Sequence, residues 1–307
     1  MPCAGTVAPA RRDAGLCETA AMQASRLRVA VVGHVEWVQF ARVPHVPRAG
    51  EVIHASDPFE EPAGGGAVAA VQLARLAGEA ALVTALGEDE HGRSSVVRLA
   101  ELGVNVHAAR RAAPTRRAVT LLDDSAERTI TTLGPRLEPA GSDEALRAGA
   151  LADMDAVYFT AGDAAALRAA RAARVLVASP RAADALGQGI ALDALVLSGE
   201  DAAERRLTAR AQDEAELVVF TEGAHGGVYR ERSGGSGDWA AVAPPAPAAD
   251  SYGCGDSFAA GLTYALGAGL PLARALALAA RCGAVCLTGR GPYQHQLTAA
   301  DLERGAP

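Results

Sequence analysis

Asp250-Ser-Tyr-Gly-Cys-Gly-Asp256-Ser-Phe-Ala-Ala-Gly261 reads as a Gly-x-Gly turn that runs straight into an amphipathic helix. Phe258, Gly261, Leu262, Ala265 and Leu266 recur at helical spacing after it, and Gly267-Ala-Gly269 ends that helix. Pro271 suits the first turn of a second helix, small and apolar throughout, that reaches about Leu287. N–H groups at a helix start have no partner within the helix, so they attract an anion. A carboxylate beside such an anion trap is what moving a phosphoryl group onto an alcohol requires. A plain capped helix would carry a similar run, so the rest of the chain must decide.

Upstream, apolar strand runs alternate with helical patterns. Strands are predicted at Leu27–Gly33, Ala81–Gly87, Ala156–Thr160, Val175–Ala178, Ala194–Ser198 and Leu217–Thr221. Helices are predicted at Gly66–Gly78 and Val96–Gly103, the latter with Val97, Leu99 and Leu102 as core candidates. This alternation implies an α/β fold, a mostly parallel sheet with helices on both faces and ligands beyond the carboxyl ends of its strands. Two stretches break the rhythm, Trp37–Ala63 and Arg116–Leu133, and both read as antiparallel strands outside the main sheet. Together, over about 37–63 and 114–134, they would form a small β-lid whose exposed face offers a homodimer surface. Residues 1–25 have no hydrophobic signal segment and read as a disordered leader or a misassigned start, with Met22 an alternative start; the domain proper is 26–307.

Composition narrows the function. The formal charge of −7 argues against nucleic-acid or anionic-membrane binding, and no apolar run is long enough to span a bilayer. The chain has no lysine, which excludes a Walker-type P-loop and Schiff-base chemistry. Cys3, Cys17, Cys254, Cys282 and Cys286 form neither a metal pattern nor an even disulfide set, and Cys282 and Cys286 read as small buried helix residues. A reducing cytoplasm fits best.

Four glycine-marked segments follow one another at strand ends: Gly64-Gly65-Gly66, Gly87–Gly92, Thr221–Gly226 and Asp250–Gly261. This series resembles the ribokinase (PfkB) family of small-molecule kinases over roughly Leu27 to Leu302. The last segment is similar to that family's Asp-Thr-x-Gly-Ala-Gly-Asp signature, with Ser251 for Thr and Cys254 for Ala. Gly64, Gly66, Ala67 and Ala70 match its Gly-Gly-x-Gly-Ala-Asn-x-Ala signature. The resemblance implies a three-layer sandwich and an ATP-dependent phosphotransferase. Asp256 would be the catalytic base, with Gly253, Cys254 and Gly255 giving N–H groups to the transferring phosphoryl. Positioning and preorganised dipoles dominate such a reaction, and a helix N-terminus favours the charged carboxylate.

By the same resemblance Thr221, Gly223 and Gly226 lie on the nucleotide, flanked by Cys282 and Gly283 of the helix beside adenine. Where the family has Asn-x-x-Glu for Mg2+, this chain reads Ser198-Gly-Glu200-Asp201, so either acid would hold metal-bound water or simply begin a helix. Asp250 is a candidate for a monovalent cation such as K+.

The sugar side departs from ribokinase. Its hydroxyl-binding Asp is Val38 here, the Asn of its first strand is Glu36, the signature Asn is Val68, and the Lys between its glycines is Gly65. A buried polar substrate group left unmatched costs about 1–3 kcal/mol, which disfavours ribose in that pose. Substrate contacts are therefore assigned to Glu36, Gly64, Gly65, Val68 and Asp256, with His34 and Gln39 as helpers and Trp37 either stacking on substrate or packing the lid. Arg116, Arg117, Arg128 and Arg181 fall near lid or strand ends, and none is assigned a catalytic role. The reading is a kinase for a hydroxyl of a sugar or sugar-like metabolite; a nucleoside kinase and a non-catalytic metabolite-binding relative are the alternatives.

Overall fold

Val29–Val32 is buried on both faces, as a strand inside a covered sheet must be, and it lies well inside the main sheet of the computed structural model. The structure describes residues 27–304, so the expected leader at 1–25 lies outside the described residues. In chain order the strands are β1 (Val29–Val32), β2 (Glu36–Arg42), β3 (Ser56–Ala63), β4 (Ala80–Gly87), β5 (Val104–Arg111), β6 (Arg117–Leu122) and β7 (Arg128–Leu133). There follow β8 (Ala156–Phe159), β9 (Val175–Ala178), β10 (Leu192–Ser198), β11 (Ala215–Thr221), β12 (Gly227–Glu231) and β13 (Ser236–Trp239). The helices are α1 (Gly65–Ala77), α2 (Glu90–Glu101), α3 (Glu144–Arg147), α4 (Ala164–Ala170), α5 (Ala202–Leu207), α6 (Ala209–Glu214), α7 (Cys254–Gly267), α8 (Leu272–Cys286) and α9 (Ala299–Arg304).

Nine strands form the main sheet in the order β13-β12-β11-β10-β9-β8-β1-β4-β5. The seven from β11 to β5 run parallel, and β12 and β13 fold back antiparallel at one edge. One core packs α1, α7 and α8 on one face; the other packs α4 and the segment around Ala182–Leu192 on the opposite face. The expected α/β three-layer architecture is therefore present. The four strands β3-β2-β6-β7 form a separate small sheet, where the lid was foreseen. Its central pair differs from expectation, because β2 and β6 run parallel. They belong to two distant segments, so no hairpin dictates their direction.

Val97 is also not in the core; it is 60% exposed. The buried face of α2 is Gly92, Ser95 and Leu99, at steps of three and four, and this places Val97 on the opposite side. Cys282 and Cys286 are buried on α8, as expected. No described helix is long and apolar enough to cross a membrane.

The segment from Arg290 to Leu297 fastens several elements together. The Gly291 amide donates to Asp250 Oδ2 at 2.9 Å, and Tyr293 Oη donates to the Pro62 carbonyl at 2.6 Å. Gln72 and Arg75 of α1 donate to the carbonyls of Leu297 and Tyr293 at 2.7 and 2.6 Å, and Gln296 donates to that of Val68 at 3.2 Å. The Arg290 guanidinium lies over the Phe59 ring at 3.7 Å and pairs with Asp57.

Candidate active site

Two glycine turns bring the site together. Gly253 caps α7 at φ 82°, a left-handed conformation that favours glycine, and its place for a Cβ is already filled by Val68 Cγ1 at 2.9 Å. Ser257 is the first amide of α7 to find an acceptor, the Gly253 carbonyl at 2.8 Å. The N–H groups of Cys254, Gly255 and Asp256 have no acceptor among the described residues. Gly255 is exposed, and a Cβ there would meet nothing within 4 Å, so the cup is open. The start of α1 crosses the end of β1 closely enough that Gly33 and Gly66 both lack room for a Cβ.

That crossing sets α1 against α7. A Cβ on Gly65 would lie 3.0 Å from Asp256 Oδ1, 3.2 Å from Thr160 Oγ1 and 3.5 Å from Arg181 Cδ. Gly64 abuts His34 and Glu36 and donates its N–H to Tyr252 Oη at 3.1 Å. Asp256 is 6% exposed, and its Oδ1 accepts from Arg181 Nη1 at 3.0 Å. Its Oδ2 has no protein partner among the described residues. Asp256 chiefly, against the cost of burial, holds the Arg181 guanidinium above its ordinary range.

His34 and Glu36 are buried beside Gly64. Burial, then the charges of Arg181, Arg136 and Arg116, hold the His34 imidazole well below its usual range, so the ring is neutral. Its Nε2 accepts from the Gly65 amide at 3.4 Å, which puts the proton on Nδ1. Burial raises Glu36, opposed by Arg116, whose Nε lies 3.5 Å from Oε2 without hydrogen-bond geometry. His34 Nδ1, Glu36 Oε2 and Arg116 Nε are thus buried polar atoms with no hydrogen-bond partner among the described residues.

Other sequence assignments fall differently. Val68 is fully buried against Gly253, so it packs under the turn and does not face substrate. Trp37 packs the lid: its Nε1 donates to Glu60 at 2.7 Å, and its ring stacks on His91 at 5.3 Å. Gln39 is exposed and donates to the same Glu60, away from His34 and Glu36. Cys282 is buried between helices, facing Gly261, which removes it from any nucleotide wall. Gly283 abuts the carbonyl of Cys254. A hydrogen bond with Cys286, then burial, pushes the Cys254 thiol up.

At the strand ends, Thr221 donates to the Leu197 carbonyl at 3.3 Å, and Gly223 stands in open space at φ 55°. Gly226 closes the β11–β12 connection against the Trp239 carbonyl, which gives it a structural reason to be glycine. Asp201 caps α5, its Oδ1 accepting from the amides of Ala203 and Glu204 at 2.7 and 3.1 Å. The acid that turns back to the strand end is Glu204, whose Oε2 accepts from the Ser198 amide at 2.9 Å. Sequence reasoning missed it, although Glu three residues after an N-cap Asp is a capping-box spacing. Asp250 is buried with both oxygens engaged, Oδ1 by the Tyr252 amide at 2.8 Å and Oδ2 by Gly291. This clamp gives Asp250 a structural role.

A parallel sheet with a lid, a buried aspartate and an open helix N-terminus beyond the strand ends define a ribokinase-like protein. Solved structures agree on the fold. Arabidopsis thaliana ribokinase complexed with ribose and ATP superposes with a TM-score of 0.71 at 19% identity, covering 91% of this chain and 98% of that one. A microbiome-derived acarbose kinase gives 0.75 at 22%, covering 91% and 99%. The nucleoside kinase of Methanocaldococcus jannaschii gives 0.69 at 15%, covering 91% and 98%. No curated protein matches the chain in sequence. The model of the pfkB family carbohydrate kinases matches residues 26–299, and the chain belongs to that family.

Proposed function

We propose that the protein is an ATP-dependent kinase that phosphorylates a hydroxyl of a sugar or sugar-like small molecule. One observation carries the reading: among the described residues Asp256 Oδ2 has no partner, and it stands beside open amides at the start of α7 that have none either. The acceptor oxygen attacks the γ-phosphorus as its bond to the ADP oxygen breaks, and the acceptor's proton passes to Oδ2. The N–H groups of Cys254 and Gly255 meet the phosphoryl oxygens, where charge is spread during transfer. Thr221 and Gly223 border the nucleotide.

Mg2+ brought with ATP would offset phosphate charge. It takes few protein ligands and keeps several waters. Glu200, Asp201 and Glu204 are the acids beside β10 able to hold those waters, and Glu204 is turned to the strand end.

The buried polar atoms His34 Nδ1, Glu36 Oε2 and Arg116 Nε support a hydroxyl-rich acceptor, because none makes a hydrogen bond among the described residues and Glu36 and Arg116 meet only as a 3.5 Å ion pair. Trp37, spent on the lid, leaves no stacking platform for a nucleobase there. We further propose a homodimer through the lid. β7 is one of its two edge strands and all six of its residues are exposed, open to strand addition. The free thiols of Cys254, Cys282 and Cys286 suit a reducing cytoplasm.

The test is ADP release from Mg-ATP by purified protein against a panel of sugars, sugar phosphates and nucleosides. Release with a sugar is the expected result. Release with nucleosides alone would make it a nucleoside kinase, and nucleotide binding without release on any acceptor a metabolite-binding relative.

A further inference from the structure

We propose that Arg181 is a catalytic residue: it holds Asp256 by Oδ1 and reaches the γ-phosphoryl oxygens during transfer. This rests on the kinase reading. The chain has no lysine, so any side-chain cation at the transferring group must be arginine or histidine, and His34 is neutral. Arg181 is the cation in contact with the base. Only its Nη1 is engaged; Nε and Nη2 have no partner among the described residues, and the side chain is 42% exposed. A guanidinium presents its donors as a rigid fork, so one edge can grip a carboxylate while another meets a phosphate.

The surroundings are built for this pair. A Cβ at residue 65 would crowd Asp256 Oδ1 at 3.0 Å and touch Arg181 Cδ at 3.5 Å, so glycine keeps room beside the pair. The backbone of Arg181 is braced: its carbonyl accepts from Arg136 Nη2 at 2.9 Å, Pro180 is buried, and Ser179 Oγ donates to Thr160 Oγ1 at 3.0 Å. The chain is fixed and the side chain is what remains free to turn.

The pairing also times the charge. Before transfer the guanidinium balances the Asp256 carboxylate. When the acceptor's proton reaches Oδ2 the aspartate becomes neutral, and the positive charge of Arg181 is then uncompensated as the phosphoryl passes beside it.

Calorimetric titration with Mg-AMP-PNP and with Mg-ADP tests this without an identified acceptor. The R181Q variant should lose at least about tenfold in affinity for Mg-AMP-PNP and no more than about twofold for Mg-ADP. R181K, which keeps the charge and loses the fork, should fall between. R181Q with D256N removes both charges, so no buried carboxylate is left unpaired, and it should show the same selective loss. Equal effects on the two nucleotides, or none, in the R181Q backgrounds would overturn the assignment. If wild-type protein binds neither nucleotide, the kinase reading itself fails.

Discussion

Asp256 joins two demands that usually conflict, burial and a free carboxylate oxygen, and the Arg181 contact reconciles them. Asp256→Asn keeps an oxygen for Arg181 and loses the proton acceptor. It should lower turnover about a hundred- to ten-thousand-fold while the melting temperature stays close to wild type, read by ADP release and by thermal unfolding. His34 supplies a pH prediction. Its folded pKa is depressed below 6.5, so the unfolded state takes up the proton first. His34 therefore costs no stability above pH about 6.5 and costs up to about 1.4 kcal/mol per pH unit below it, until the folded form protonates. Urea midpoints of wild type and His34→Asn, compared from pH 7.5 down to 5, should converge as the pH falls; parallel curves would contradict a buried neutral ring. At this scale the sequence exposed what recurs in order, the Asp250–Gly261 run and the triple glycine at 64. It placed Arg181 among four arginines near lid or strand ends but could not single it out, because nothing local distinguishes them until tertiary folding sets one on Asp256.

Helices α7 and α8 carry the cup, and their contact depends on one small residue. A Cβ on Gly261 would lie 2.7 Å from Cys282 Sγ and 3.0 Å from Ala279 Cα. Gly261→Ala should destabilise by about 1–3 kcal/mol, and adding Cys282→Ala should restore part of that by removing the sulfur while the Ala279 backbone contact persists. Chemical denaturation of both variants checks it. Most such elements were legible, since β1, β4 and β8 to β11 are short apolar runs and α7 and α8 are marked by glycine and proline. The strands toward the two margins of the main sheet, β5, β12 and β13, were not. They are half-exposed, mixed in polarity and give neither a buried run nor clean alternation.

For the molecule as a whole, the outer edge of the lid is the surface proposed to meet a second copy. The row of exposed residues in β7 includes Ile130 and Leu133. If two copies meet there, Ile130→Glu should shift the protein from dimer to monomer in sedimentation velocity, because it puts like charges opposite one another across the contact. A wild-type protein that sediments as a monomer at all concentrations would end that proposal. The lid's existence was legible from two interruptions of the βα rhythm, but the direction of its central pair was not, because residues some eighty positions apart meet there only once the sheet has formed.

The coil from Arg290 to Leu297 touches none of the proposed reacting groups, yet it ties Asp250, Val68, Pro62 and α1 into one frame. A chain still threaded through the ribosome with that coil inside the tunnel would hold α1 against α7 only through the Gly64–Tyr252 hydrogen bond and the seat of Gly253 on Val68, without these further ties. A nascent chain arrested before the coil emerges should therefore bind Mg-AMP-PNP more weakly than the released chain.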